Sequence, residues 1–231
     1  MKFTIFTDGA SRGNPGPGGW GAIIISDEKH VTELGGAEKK TTNNRMEIMA
    51  AIEALRKAKE ESEITLYTDS SYLINGITKW IKGWKRIGWI TRTKEEVLNR
   101  DLWEELDSLV QERTVKWEYV GGHMGVAGNE RCDRIATAFA DGEKIKLYND
   151  TLSNYFIPKI LDIKQAELKA ETKSRRDSRT YSYVSSVKGI IEIHHSWAEC
   201  EKRVKGVRAA RYKKALNAED QEKIVREFQA L

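Results

Sequence analysis

Lys2-Phe3-Thr4-Ile5-Phe6-Thr7-Asp8-Gly9 is the stretch on which the reading of this 231-residue chain turns. Its β-branched and aromatic residues suit an extended run that Gly9 should break, so Asp8 is expected where a first strand leaves its sheet. Ligands of open α/β sheets bind beyond the carboxyl ends of strands, which makes an Asp there a candidate for chemistry. Alone, it reads first as a cap for the turn into Ser11-Arg12-Gly13-Asn14-Pro15-Gly16-Pro17-Gly18.

Outward from that strand, Gly19 to Ser26 reads as a buried strand and Val31 to Lys40 as a weaker one, which predicts an antiparallel meander. Thr41-Thr42-Asn43-Asn44 offers N-cap chemistry ahead of Arg45 to Leu55, a strong helix former. Glu47 lines up there with Ala51, Ala54 and Ala58 on a small apolar face, where an unpartnered carboxylate is costly. Ile64 to Thr68 is a second strand ending in an acid, Asp69, and a helical crossover makes it parallel to the first. A short helix over Tyr72 to Trp80, an amphipathic helix over Leu98 to Val110 and a strand over Val115 to Val120 follow. Gly121-Gly122-His123-Met124-Gly125 is a loop, and Asn129 to Ala136 opens a helix on which Asp133 stacks with Ala136, Thr137 and Ala140.

Four carboxylates thus stand out in the same sense, two at parallel strand ends and two on inward helix faces. Brought together they would repel one another unless something cationic sat between them. An oxygen-only set suits Mg2+ or Mn2+, and a pair of such ions clamps the attacking and leaving oxygens of phosphoryl hydrolysis.

Charge is unevenly spread along the chain. Residues 1–158 carry 22 Lys and Arg against 24 Asp and Glu, whereas residues 159–231 carry 17 against 11. Residues 79–100 hold 7 basic against 2 acidic side chains, interleaved with Trp80, Trp84 and Trp89. Basic segments on an acidic body point to a polyanionic ligand, so the combination argues for a nuclease. Only Cys132 and Cys200 occur, without metal-ligand spacing, and no apolar run reaches membrane-span length, so a cytoplasmic protein with no membrane partner is expected.

Thr7-Asp8-Gly9 with Gly13-Asn14-Pro15-Gly16, Thr42 to Glu47, Thr68-Asp69-Ser70, Gly122-His123 and Asn129 to Asp133 resemble the type 1 ribonuclease H family in order and spacing. The resemblance implies an α/β ribonuclease H-like fold, with a five-stranded mixed sheet flanked by helices, over residues 1–142. It implies endonucleolytic cutting of RNA paired with DNA, leaving 5′-phosphate and 3′-hydroxyl ends. It further implies that Asp8, Glu47, Asp69 and Asp133 hold two Mg2+ ions, with Mn2+ as a substitute, that Glu130 lies near the second ion, and that His123 assists proton transfer or product release. Asn14, Asn43 and Asn44 match minor-groove contacts, where 2′-hydroxyls distinguish RNA from DNA. Their local chemistry, turn and cap, is compatible with that role. Ser71 departs from the family pattern, in which a longer amide stands there. Residues 79–100 resemble a basic protrusion that grips the DNA strand, with Lys82, Lys85 and Arg86 on phosphates. Its tryptophans read mostly as packing, with one, Trp84, a candidate for the DNA backbone.

Residues 143–180 read as a charged linker, in which Lys164 to Glu171 suits a solvated helix. Residues 181–231 predict a small α+β module: strands Tyr181 to Val187, Ile190 to His194 and Ala210 to Ala215, and helices Ser196 to Val204 and Ala218 to Phe228. Trp197-Ala198-Glu199-Cys200 and Ala210-Arg211-Tyr212-Lys213-Lys214 resemble the hybrid-binding domain of eukaryotic ribonucleases H and viroplasmin-like proteins, here following the nuclease instead of preceding it. That resemblance puts Trp197 and Tyr212 on DNA sugars and Lys213 and Lys214 on phosphates. Spacing alone equally allows the aromatics to be a core and the lysines a solvated face. The expected protein is a monomeric, metal-dependent ribonuclease acting on RNA/DNA hybrids, with a tail that tethers the hybrid and could also take double-stranded RNA. The alternative is a catalytically silent protein that coats hybrids or double-stranded RNA.

Overall fold

A computed structural model describes residues 1–91, 93–121, 126–163, 181–207 and 209–229. The chain divides into two compact units, Met1–Glu167 and Leu168–Leu231.

In the first unit, β1 (Lys2–Ser11), β2 (Gly16–Ser26) and β3 (His30–Thr41) form the antiparallel meander, and β4 (Glu63–Thr68) and β5 (Thr114–Tyr119) add in parallel on the far side of β1. A sixth strand, β6 (Asn149–Thr151), pairs with β3, giving the order β5-β4-β1-β2-β3-β6. The expected five strands are therefore present, and the sixth comes from the stretch read as linker. That stretch looked like linker because its polar residues break any apolar period. Its few apolar residues are instead partners for distant ones: Tyr155, Ile160 and Ile163 are buried against Phe6, Ile23, Ile25 and Val31. Burying each contributes about 1.5–3 kcal/mol. A buried ion pair fixes the same stretch. Arg131 donates to both oxygens of Glu33 at 2.8 and 2.7 Å and to the Lys146 carbonyl, while the Tyr155 hydroxyl and the Tyr148 amide donate to Glu33. Residues 143–163 belong to the first unit, and the expected helix at Lys164 to Glu171 lies outside the described residues.

Gly9 does not end β1, which runs on to Ser11 paired with β2. Its reason is close packing: a Cβ there would lie 2.3 Å from the Glu47 amide nitrogen and 2.5 Å from the Met46 carbonyl carbon. Gly9 lets helix α1 (Asn43–Lys57) sit directly on the strand. Thr42 caps that helix by accepting from the Arg45 amide. Gly19 and Gly21 do the same for helix α5 (Ala127–Ala140), where added Cβ atoms would meet the Ala136 and Cys132 carbonyls at 2.2 and 2.5 Å.

Between β4 and β5 the short helix is α2 (Ser71–Asn75), a π-helical turn over Gly76–Trp80, and α3 (Ile81–Arg86), followed by α4 (Arg100–Gln111). Gly76 faces the ring of Trp103, with no room for a Cβ. A π turn at such a point marks local adjustment of the ladder to packing.

The second unit has a three-stranded antiparallel sheet, β8 (Ile190–His194), β7 (Ser182–Val187) and β9 (Arg211–Ala215), with helices α6 (Trp197–Val204) and α7 (Ala218–Gln229). Its core is Val184, Ala215, Ile224 and Phe228.

Candidate active site and nucleic-acid surfaces

Parallel pairing of β1 with β4 ends at Phe6 and Tyr67, so Asp8 and Asp69 stand two residues beyond it on adjacent strands. Gly9 seats Glu47 beside Asp8, and the Gly19 and Gly21 contact seats α5, which carries Asp133, on β2. Four distant segments thus meet at one sheet edge. Asp8 is buried and its carboxyl is pushed up to about 8, first by burial and then by Asp69, Asp133 and Glu47, against a 2.7 Å bond from the Gly9 amide that stabilises the charged form. Burial and Asp69 also raise the Glu47 carboxyl, although Ser70 and Asn43 donate to it.

Neutral partners orient Glu47 and Asp69. Asn43 holds one Glu47 oxygen at 2.8 Å, and the Ser70 hydroxyl holds the other. The Asn129 amide donates to Asp69 at 3.2 Å, and its own carbonyl oxygen is buried with no partner. Ser70 also caps α2 through the Leu73 amide. Among the described residues no three acids converge as a finished cation cage. The donor chemistry fits a hard divalent cation: all the candidate donors are oxygens, and burial first, then the neighbouring acids, raise the Asp8 carboxyl. Glu130 is exposed in the first turn of α5, and His123 lies outside the described residues.

Asn14 and Asn44 are exposed, as is Asn43, which begins α1. On the protrusion, Lys82 and Arg86 are exposed, whereas Lys85 is paired with Asp107. Trp84 is half-buried in an aromatic cluster with Trp80, Trp89 and Trp103, at centroid distances of 5.8, 6.3 and 5.8 Å. The exposed tryptophan of the protrusion is Trp80.

In the second unit Trp197 and Tyr212 are not core. They are 38% and 52% exposed, and Trp197 lies between Tyr183 and Tyr212 at 5.4 and 5.0 Å. Tyr183 was missed in the sequence, where only its place two residues before Ser185 on an alternating strand marks its face. Register separates the two lysines. Lys213 pairs with Val184 and so shares the core face, where its ammonium meets Glu227 of α7 at 2.5 Å. Lys214 pairs with Tyr183 and shares the aromatic face. His194 is buried, with Ser185 at 2.7 Å.

The RNase H family profile matches residues 1–141, and the Ribonuclease H1 N-terminal domain profile matches residues 188–220. Ribonuclease H of Thermosynechococcus vestitus is 56% identical over 146 residues, covering 62% of this chain and 91% of that protein. Ribonuclease H of Erythrobacter litoralis is 53% identical over 140 residues, 61% of this chain and 96% of its own. Among solved structures, LC9-RNase H1, a type 1 RNase H with the type 2 active-site motif, aligns over 72% of this chain and 84% of its own, at TM-score 0.58 and 27% identity.

Proposed function

The chain belongs to the RNase H family and is a ribonuclease H, and from that premise we propose that it cuts the RNA strand of RNA/DNA hybrids with two divalent cations held by Asp8, Glu47, Asp69 and Asp133. The observation that carries this is the Asp8 carboxyl, which burial and three acids from separate segments lift to about 8. Such a site is unfavourable without positive charge and suited to Mg2+, with Mn2+ as a substitute. When bound, the cations supply an activated water and stabilise the leaving 3′ oxygen, so products carry 5′-phosphate and 3′-hydroxyl ends.

The chain's own groups prepare that chemistry. Ser70 and Asn43 fix the Glu47 carboxylate, Asn129 fixes Asp69, and the Gly9 amide fixes one oxygen of Asp8. Glu130 would help hold the second cation, and His123 would move a proton at the departing oxygen or help product leave. Asn14, Asn43 and Asn44 read the minor groove, and Lys82, Arg86 and Trp80 meet the DNA strand. The Tyr183, Trp197 and Tyr212 surface with Lys214 holds hybrid near the cleavage site, raising its local concentration. No helix among the described residues is long and apolar enough to cross a membrane, and two free, buried thiols suit the cytoplasm. We expect the enzyme to act as a monomer.

The test is cleavage of end-labelled RNA/DNA, RNA/RNA and DNA/DNA duplexes with Mg2+ or Mn2+ by wild type and Asp8→Asn. Hybrid-only cutting, lost in Asp8→Asn, is expected. Binding without cutting would replace the nuclease by a coating protein. For the tether, the informative truncation removes residues 168–231, because residues 143–163 are part of the first unit. Unchanged affinity after that truncation removes the tether.

A further inference from the structure

The loop between β1 and β2 carries Asn14, and its position is fixed by two means. It is wound on itself: the Arg12 amide donates to the Pro17 carbonyl at 2.7 Å, Gly13 has φ +105°, and a Cβ at Gly16 would lie 2.1 Å from the Arg12 carbonyl oxygen. It is also held from outside. The Arg12 guanidinium reaches across to Asp141, at the C-terminal cap of α5, through two parallel bonds of 2.5 Å. Asp141 lies two turns beyond Asp133 on the helix whose backbone already rests on Gly19 and Gly21 of β2. The guanidinium also suits the negative end of that helix.

We propose that Arg12 and Asp141 form a positioning pair that sets the Asn14 loop in register with α5, so that Asn14 meets the minor groove of a hybrid whose scissile phosphate is at Asp133. This rests on the hybrid-cleaving reading above. Arg12 acts here through the loop: the edge of its guanidinium formed by Nε and Nη2 is committed to Asp141, which sets its orientation against α5. The side chains of both are partly exposed, at 50% and 32%, so the pair contributes little to stability and its variants keep the fold.

The test measures kcat and KM of the full chain on labelled RNA/DNA hybrid, together with the dissociation constant for the same hybrid in Ca2+. The variants are Arg12→Ala, Asp141→Asn, the exchange Arg12→Asp with Asp141→Arg, and each single change combined with Asn14→Ala. Positioning requires Arg12→Ala and Asp141→Asn to raise KM in the same direction, about threefold to fivefold, with kcat held. The exchange should recover most of that loss, and neither single change should add to Asn14→Ala. A lower KM for Asp141→Asn would overturn the proposal, because it would mean that Arg12 freed from Asp141 binds phosphate directly. Unchanged KM and hybrid affinity in both single variants would overturn it too. Failure of the underlying reading looks different: wild type itself would not cut hybrid, whatever the state of the pair.

Discussion

On the function proposed above, the carboxylate cluster of the first unit and the aromatic surface of the second are opposite ways of engaging nucleic acid. The first gathers acids where charge is unfavourable, so that burial first, then Asp69, Asp133 and Glu47, push the Asp8 carboxyl up to about 8. The second leaves Trp197 and Tyr212 in water, next to one another. Chemistry needs the strained arrangement, since only groups that change their state when cation and substrate arrive can favour the transition state over the ground state. Retention needs many weak, tolerant contacts, since stacking on an exposed ring is insensitive to sequence.

The largest effect that would break this contrast is loss of the buried charge. Asp8→Asn should lower kcat by at least about 10³-fold, since a metal ligand supplies several kcal/mol of charge stabilisation, while hybrid affinity through the second unit stays within about twofold. Stability should move the other way. Asp8 titrates at about 8 in the folded chain and near 3.8 unfolded, so between those values the folded state binds more protons, and stability without metal declines as pH rises. Asp8→Asn should remove that decline and raise metal-free stability at pH 8 by roughly a few kcal/mol, read by urea unfolding across pH 5–9. Mg2+ should stabilise wild type, by about 2.7 kcal/mol at 100 times its dissociation constant, and leave Asp8→Asn nearly unmoved. A flat pH profile for wild type would show that Asp8 ionises freely and that the site is not strained.

The same contrast explains what could be read from the sequence. The four acids were legible because each broke a local rule: Glu47 and Asp133 interrupt small apolar helix faces, Asp8 interrupts a buried strand and Asp69 follows one. The meander, the parallel strand and the module's three strands were legible from periodicity and turns, as at Lys188 and Gly189, both with positive φ. Long-range pairing was not legible. Tyr155 and Ile160 look like scattered residues in a polar stretch until Glu33 and Val31, more than a hundred residues earlier, supply their partners. Gly9 was read as a strand breaker because its true reason, the approach of α1, lies outside its own segment. Which lysine of Lys213 and Lys214 faces the aromatics depends on register, which composition does not carry.

A medium effect sharpens the comparison from the other side. Trp197 is the central ring of the three, touching both Tyr183 and Tyr212. Trp197→Ala should weaken hybrid binding by about 1–3 kcal/mol, the worth of a stacking aromatic, and raise KM at physiological salt with kcat unchanged. The readout is anisotropy of labelled hybrid beside steady-state cleavage. A fall in kcat would mean that the module takes part in the chemical step, and the division between strained and tolerant surfaces would fail.

The smallest effect concerns the two lysines of β9, and it tests whether register or composition decides a phosphate contact. Lys214 shares the face of Tyr183 and Tyr212, whereas Lys213 shares the face of Val184 and already meets Glu227. A lysine on a phosphate releases about one counter-ion, so losing it lowers the salt slope of binding by roughly 0.7–0.9. Lys214→Ala should show that loss and weaken affinity about twofold to threefold at 0.15 M salt, uniformly across hybrid sequences. Lys213→Ala should leave the slope unchanged, because register puts Lys213 on the core face, away from the aromatics. Equal losses from both would mean that the Lys213–Glu227 pair opens when hybrid binds, in which case Glu227→Gln should tighten binding by releasing Lys213 to the phosphates.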